Sequence, residues 1–224
     1  MQRTVFDFHT HTFLSDGALI PIELIRRAVV NGYAAIAVTD HASAGHMEAA
    51  LRAVIADCAL AEKHWDIRAV PGVELTHVPP LAIPELAVEA RRLGAKVVVV
   101  HGQTPVEPVV TGTNFAAVEC PDVDILAHPG AIGPDVAELA TRNGVFLEVS
   151  AHRGHCLGNG AVVAAARRAG AMLLVNSDAH DPADLLTADF ARRVAAGAGL
   201  DLAEMETVLA ANPQRLLEKI AARG

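Results

Sequence analysis

RRLGAKVVVVH, residues 91–101, closes an amphipathic segment on a glycine, starts an apolar β-branched run and delivers a histidine where that run ends. Glycine suits the C-terminus of a helix, and a short valine run suits a buried strand. The same unit recurs along the chain. Strands are predicted over Thr4 to Phe8, Ala35 to Thr39, Ile67 to Val73, Lys96 to Val100, Val123 to Ala127, Val145 to Val149 and Met172 to Asn176. Between them stand amphipathic segments such as IELIRRAVVNG, HMEAALRAVIADCALAEKH, IPELAVEARRLG, PDVAELATRNG and AVVAAARRAG. Strands alternating with helical patterns are the signature of βα units around a parallel sheet.

The ends of those strands carry the functional signal. VFDFHTH ends in His9 and His11, AAIAVTDH in Asp40 and His41, IRAVPGVE in Glu74, and KVVVVH in His101. VDILAH ends in His128, VFLEVSAHR runs through Glu148 to His152 and Arg153, and MLLVNSDAH ends in Asp178 and His180. In a barrel of parallel strands these ends converge on one face, where the active sites of that architecture are built. The expected fold is therefore an α/β, TIM-like barrel of seven strands. The 224 residues are expected to form one domain, with C-terminal helices over about 181–222 packed on the outside of the barrel and broken at Asn212-Pro213.

Composition limits the remaining choices. A hydrophobic fraction of 52% with few aromatics fits a helix-rich α/β protein, and a net charge of −8 gives no basic footprint for nucleic acid. MQRTVFDFHTH lacks the apolar core and cleavage site of a signal peptide, and no apolar run approaches membrane-spanning length, so a cytoplasmic location away from membranes is expected. Cys58, Cys120 and Cys156 are widely spaced, which indicates neither a disulfide framework nor a thiolate metal site.

Imidazole and carboxylate without thiolate suit zinc, manganese or iron. A catalytic zinc takes three protein ligands and a structural one four, so six histidines and at least three carboxylates exceed one ion's needs. Two or three divalent ions are expected. Such clusters serve phosphoryl transfer, where they acidify a bridging water and hold the attacking and leaving oxygens.

HTHTFLSDG, TDH, the strand-end Glu and His series, and NSDAH together resemble the PHP family, the polymerase and histidinol phosphatase domain, over nearly the whole chain. The resemblance implies a distorted seven-stranded βα barrel binding three metals. Carried over, it implies His9, His11, Glu74 and Asp178 around a first metal, with Glu74 bridging to a second held by His101 and His128. Asp16, His41 and His180 would surround a third; some relatives carry histidine where this chain has Asp16, which alters that site's metal preference. The segment SAHRGHCLGNGAVVAAARR also resembles a histidinol-phosphatase-like subgroup. The implied reaction is attack of a metal-bridging hydroxide on a small phosphorylated substrate. Asp178, His180 and Arg153 are the candidate catalytic groups, Arg153 either as a phosphate clamp or as an ordinary surface arginine.

Asp7 and Asp40 are expected either to orient imidazoles of neighbouring ligands or to be solvated loop carboxylates, and Glu148 to make a structural hydrogen bond or serve the chemistry. His77, His152 and His155 lie close enough to the strand ends to reach substrate, whereas His46 and His64 read as surface residues and Tyr33 and Trp65 as packing. Three alternatives stay open: a phosphodiesterase or nuclease, a non-catalytic ribonuclease P-type subunit, and an amidohydrolase. The acidic balance argues against the first, and the complete set of nine ligands against the second. Lys96 begins its strand rather than ending it, which argues against a carboxylated-lysine amidohydrolase.

Overall fold

The computed structural model describes residues 3–223, and all seven expected strands are present in one parallel sheet. They are β1 (Val5–Asp7), β2 (Tyr33–Val38) with a short continuation β3 (His41–Ala42), β4 (Arg68–Leu75), β5 (Val97–His101), β6 (Ile125–Ala127), β7 (Phe146–Ser150) and β8 (Leu173–Asn176). The hydrogen-bonded order is β1-β2-β4-β5-β6-β7-β8, with β3 paired to β4. Main-chain bonds close the ring between the ends of β8 and β1: Asp178 N–H donates to His9 O at 2.9 Å and His11 N–H to Ala179 O at 2.9 Å. Closure thus sets the HTH stretch beside the SDAH stretch.

The helices are α1 (Pro21–Val30), α2 (Met47–His64), α3 (Ile83–Arg92), α4 (Thr113–Glu119), α5 (Pro134–Asn143), α6 (Asn159–Ala169), α7 (Ala188–Gly197), α8 (Leu202–Glu206) and α9 (Asn212–Ala222). Proline in the first turn opens α1 and α5, and Gly144 ends α5 at φ 64°, a left-handed conformation that costs glycine little. Among the described residues no helix is long and apolar enough to cross a membrane.

Strand periodicity divides the core in two. Ile36, Val38, Val98, Val100, Leu147 and Val149 pack outward against the helices. Ala35, Ala37, Val97, Val99, Ile125, Phe146 and Leu174 fill the barrel interior. Because side chains alternate along a strand, the next inward positions after Val99, Phe146 and Leu174 are His101, Glu148 and Asn176. The apolar interior therefore turns polar at the C-terminal ends of the strands. β4 and β5 also run further than expected, so Glu74 and His101 are held as strand residues and not as loop residues.

The C-terminus corrects two expectations. The chain stays helical through Asn212-Pro213, because a π-helical turn over Thr207–Ala211 precedes the proline, with Asn212 N–H donating to Thr207 O. The wider turn accommodates a residue that lacks an N–H and crowds the preceding turn. Nor does α9 lie against the outside of the barrel: Leu216 and Ile220 belong to the interior cluster. Asn212 Nδ2 donates to Leu173 O at 2.9 Å and Lys219 Nζ to Gly144 O at 2.9 Å, so α9 crosses and plugs the N-terminal mouth.

Candidate metal centre

Every histidine except His64 stands at a strand's C-terminal end or on a loop that follows one. The nine residues singled out from sequence form one connected cluster. Glu74 lies at its middle: Oε1 is 3.2 Å from His9 Nε2, 3.3 Å from His101 Nδ1 and 3.8 Å from His128 Nε2, and Oε2 is 2.6 Å from His41 Nδ1. The parallel register pairs His41 with Glu74, which explains that last approach. Asp178 Oδ1 is 3.1 Å from His11 Nε2 and 3.6 Å from His9 Nε2. Asp16 reaches His41 Nε2 at 3.4 Å and His180 Nε2 at 3.3 Å. His11 joins the two halves, since its ring stacks on those of His41 and His180 at 4.2 and 4.3 Å between centroids.

The donor set fits divalent cations. Ligand atoms of His11, Asp16, His41 and His180 lie within 4.8 Å of one another, as do those of His9, Glu74 and His128 and those of His9, His11 and Asp178. His9 Nε2, Glu74 Oε1 and both ring nitrogens of His11, His101 and His128 are buried without a hydrogen-bond partner. The short approach of His9 Nε2 to Glu74 Oε1 is too poorly aligned to count as one. Unpartnered buried polar atoms each cost about 1–3 kcal/mol, so a convergent group of them marks a place built for something else. Imidazole nitrogens and carboxylate oxygens are the donors that zinc, manganese and iron accept.

Electrostatics agree with that reading. Burial pushes the carboxyls of Glu74 and Asp178 up, but the surrounding imidazoles, His9 foremost, outweigh it and hold both well below the usual range. Burial pulls His9 down, yet Glu148, Asp178 and Glu74 raise it well above its ordinary value, so without a metal the carboxylates hold a proton there that a bound cation would displace. His128 is held well below its ordinary value by burial, which leaves it neutral and able to ligate. Among the described residues three non-glycine positions adopt positive φ, His77 at 53°, His128 at 29° and Asp178 at 54°, and all three belong to this face. Strain so localised is a mark of functional positions.

The supporting carboxylates differ from expectation. Asp7 and Asp40 touch no imidazole. Asp7 accepts from Ser177 N–H and Tyr33 O–H at 3.0 and 3.1 Å, and Asp40 accepts from Thr12 N–H, Thr12 O–H and Ser15 O–H at 2.7 to 2.8 Å. Both lie at strand ends where unpaired backbone and hydroxyl donors of the β1 loop come within reach, and they hold that loop. The carboxylate that orients an imidazole is Glu148, 2.8 Å from His9 Nδ1 and itself fixed by Asn176 Nδ2 at 2.9 Å. Tyr33, expected only to pack, is buried but also links Asp7 to Leu186 N–H.

His152 and His155 enter the cluster through Asp178, at 3.2 and 3.1 Å from Oδ2. His46 is exposed yet bonds the His41 carbonyl at 2.8 Å. Arg153 lies exposed on the loop after β7, and among the described residues it forms no ion pair with the cluster. Sequence reasoning passed over Glu107, whose carboxylate meets His77 Nε2 at 2.8 Å and His155 Nε2 at 3.4 Å. Its signal was there to find: it is the one charged residue in the loop GQTPVEPVVTG.

A model of the PHP domain family matches residues 7–119. An uncharacterized protein of Methanocaldococcus jannaschii is 49% identical over 217 residues, covering 96% of this chain and 99% of that one. A chain of an archaeal ribonuclease P with mature tRNA superposes with TM-score 0.64 at 16% identity, covering 96% of this chain and 90% of that one. Histidinol phosphate phosphatase from Lactococcus lactis subsp. lactis, complexed with zinc, L-histidinol and phosphate, gives 0.60 at 13% identity over 88% and 95% of the two chains. At those identities the two structures share the fold with this chain.

Proposed function

Because the chain belongs to the PHP domain family, we propose that it is a metal-dependent hydrolase of small phosphomonoesters. One observation carries the reading: six histidines and three carboxylates converge with unpartnered donor atoms on a face whose seven strand-end loops contain a single Lys or Arg, Arg153. Such a face draws its positive charge from bound cations, and it lacks the basic track that a polyanion needs. That favours a small ester over nucleic acid or a tRNA-bound role.

Within the proposal, His9, His11, Glu74 and Asp178 hold one ion, Glu74, His101 and His128 a second, and Asp16, His41 and His180 a third. Clustered divalent ions, when bound, supply an acidified water and neutralise phosphoryl oxygens. The residues supply the rest. Glu148 fixes the tautomer of His9 so that Nε2 faces the cluster. Half-exposed His41 and His180 beside Asp16 form the open end through which an ester enters. Arg153, the one guanidinium on the loops of this face, is assigned the role of phosphate clamp. Asp178, held ionised by its imidazole neighbours, serves as a ligand in preference to a base.

The test is phosphate release by zinc- or manganese-loaded protein across phosphomonoesters and phosphodiesters, with His11→Ala alongside. Histidinol phosphate heads the panel because the Lactococcus lactis fold neighbour holds L-histidinol and phosphate. Monoester turnover that disappears in the variant supports the proposal. Preference for diesters moves a nuclease ahead, and silence in protein shown to hold its metals sinks both.

A further inference from the structure

We propose that His77, His101 and Glu107, with His155 at their edge, form an additional divalent-cation site at the rim of the main cluster. Its donor set of imidazole nitrogens and a carboxylate oxygen suits zinc, manganese or iron. The inference rests on the reading of the main cluster as a cation site, and not on any particular reaction there.

Glu107 is put in place by the chain around it. Its N–H donates to Thr104 Oγ1 at 2.8 Å, its carbonyl accepts from Thr104 N–H at 3.4 Å, and Thr104 is fully buried. Gln103 pins the same loop from both sides, its N–H donating to Asn114 Oδ1 at 3.0 Å and its Oε1 accepting from Val109 N–H at 3.2 Å. The carboxylate so presented meets imidazoles delivered by three separate strands: His77 Nε2 at 2.8 Å, His155 Nε2 at 3.4 Å and His101 Nε2 at 3.7 Å. Ligand atoms of His77, His101 and Glu107 lie within 4.8 Å of one another. Around a tetrahedral ion with bonds of 2.0–2.2 Å, ligand atoms stand about 3.4 Å apart. The observed separations bracket that value.

His101 supplies an independent observation. Both of its ring nitrogens are buried without a hydrogen-bond partner; Nδ1 faces Glu74 and Nε2 faces Glu107. Of the rings with two unpartnered nitrogens, His101 is the one whose second nitrogen faces the Glu107 carboxylate, at 3.7 Å, beyond hydrogen-bond distance. His77, for its part, is held at φ 53° to make its contact. The added ion would share the His101 ring with the main cluster as an imidazolate, the ring's remaining N–H proton being released to solvent on binding, and would place positive charge on a rim that otherwise has only Arg153.

The experiment counts ions. The full chain, Glu107→Gln and His77→Ala are dialysed to equilibrium against manganese(II) and, separately, zinc(II), and bound metal is measured by mass spectrometry. Each variant, and the double variant, is expected to hold one equivalent fewer than the parent, with the remaining ions bound as before. Equal counts in parent and variants overturn the proposal, since Glu107 then only pairs with protonated imidazoles. Loss of more than one equivalent also overturns it, because Glu107 then acts on the main cluster through His101. Both side chains are half-exposed, and matching melting curves of the chelated proteins verify that the fold is retained. A correct ion count without phosphate release would remove the phosphatase reading and leave this site standing.

Discussion

At the N-terminal end of the barrel Asp124 is fully buried and meets Arg223 Nη1 at 2.7 Å, Lys219 Nζ at 3.3 Å, the Arg91 guanidinium and Val98 N–H at 3.1 Å. At the C-terminal end Glu74 is equally buried and meets imidazoles and the Thr76 hydroxyl, which donates to Oε2 at 2.8 Å, with no Lys or Arg beside it among the described residues. The lower charge is neutralised by fixed cations drawn from α3 and α9. Around the upper one, His9 Nε2 and both ring nitrogens of His101 and His128 are themselves unpartnered. One end is complete as folded, and the other is assembled to receive charge from outside. The difference separates a buried carboxylate that serves stability from one that serves chemistry.

The largest expected effect is therefore that of metal removal, and it acts on one end only. Each ion at 100 times its dissociation constant stabilises by about 2.7 kcal/mol, so chelation should lower the melting temperature markedly and refilling should restore it. His11→Ala should abolish that chelator response at its own sites while leaving the metal-free protein within about 1 kcal/mol of the parent, because a desolvated ring is deleted along with its contacts. Calorimetry with and without chelator checks both. A metal-free variant that melts far below the parent would mean that the upper cluster is structural.

Asp124→Asn should do the reverse. Leaving Arg91, Lys219 and Arg223 without their counter-charge costs about 2–4 kcal/mol, with or without metal, and metal affinity should not move. Denaturant titration in both states decides it. Next in size is Glu148→Gln, which removes the carboxylate on His9 Nδ1 and should weaken metal binding about 10- to 100-fold, read by competition with a chromophoric chelator. An unchanged affinity would make Glu148 a purely structural partner of Asn176.

These contrasts also mark what was legible in the sequence. The strands and their histidine ends could be read because an apolar run followed by a polar residue is a local pattern, and parallel strands carry those ends to a common face. The destination of α9 could not, since Leu216 and Ile220 show the same periodicity whether they pack outside a barrel or stop its mouth. Asp7 and Asp40 were misassigned because adjacency in sequence to His9 and His41 does not put side chains together at a strand end; the nearest donors there are backbone and hydroxyl groups. Glu107 stands out in sequence as the one charged residue of its loop, but its role does not, for a related reason. Its partners come from three strands, and only the folded loop brings it across them.

Asp7 stands between the two kinds of carboxylate: buried like Asp124, without a cation, and satisfied by N–H and O–H donors. Burial pushes its carboxyl up to about 7, against the opposing pull of the bonds from Ser177, Tyr33 and His9. A carboxyl whose folded value lies above its unfolded value of 3.8 binds its proton more tightly in the folded state. Its contribution to stability is then fully present below about pH 4 and is lost as pH rises to about 7, with no further change above that. Asp7→Asn imitates the protonated form and should remove this slope. In chelated protein, the difference in urea midpoint between parent and variant should move against the parent from pH 4 to pH 7 and then level off. Other groups titrate in the same window, but they are common to both proteins and cancel in the difference. Parallel curves across that window would show that Asp7 stays ionised, and the donors around it would then rank with the cations around Asp124 as sufficient compensation.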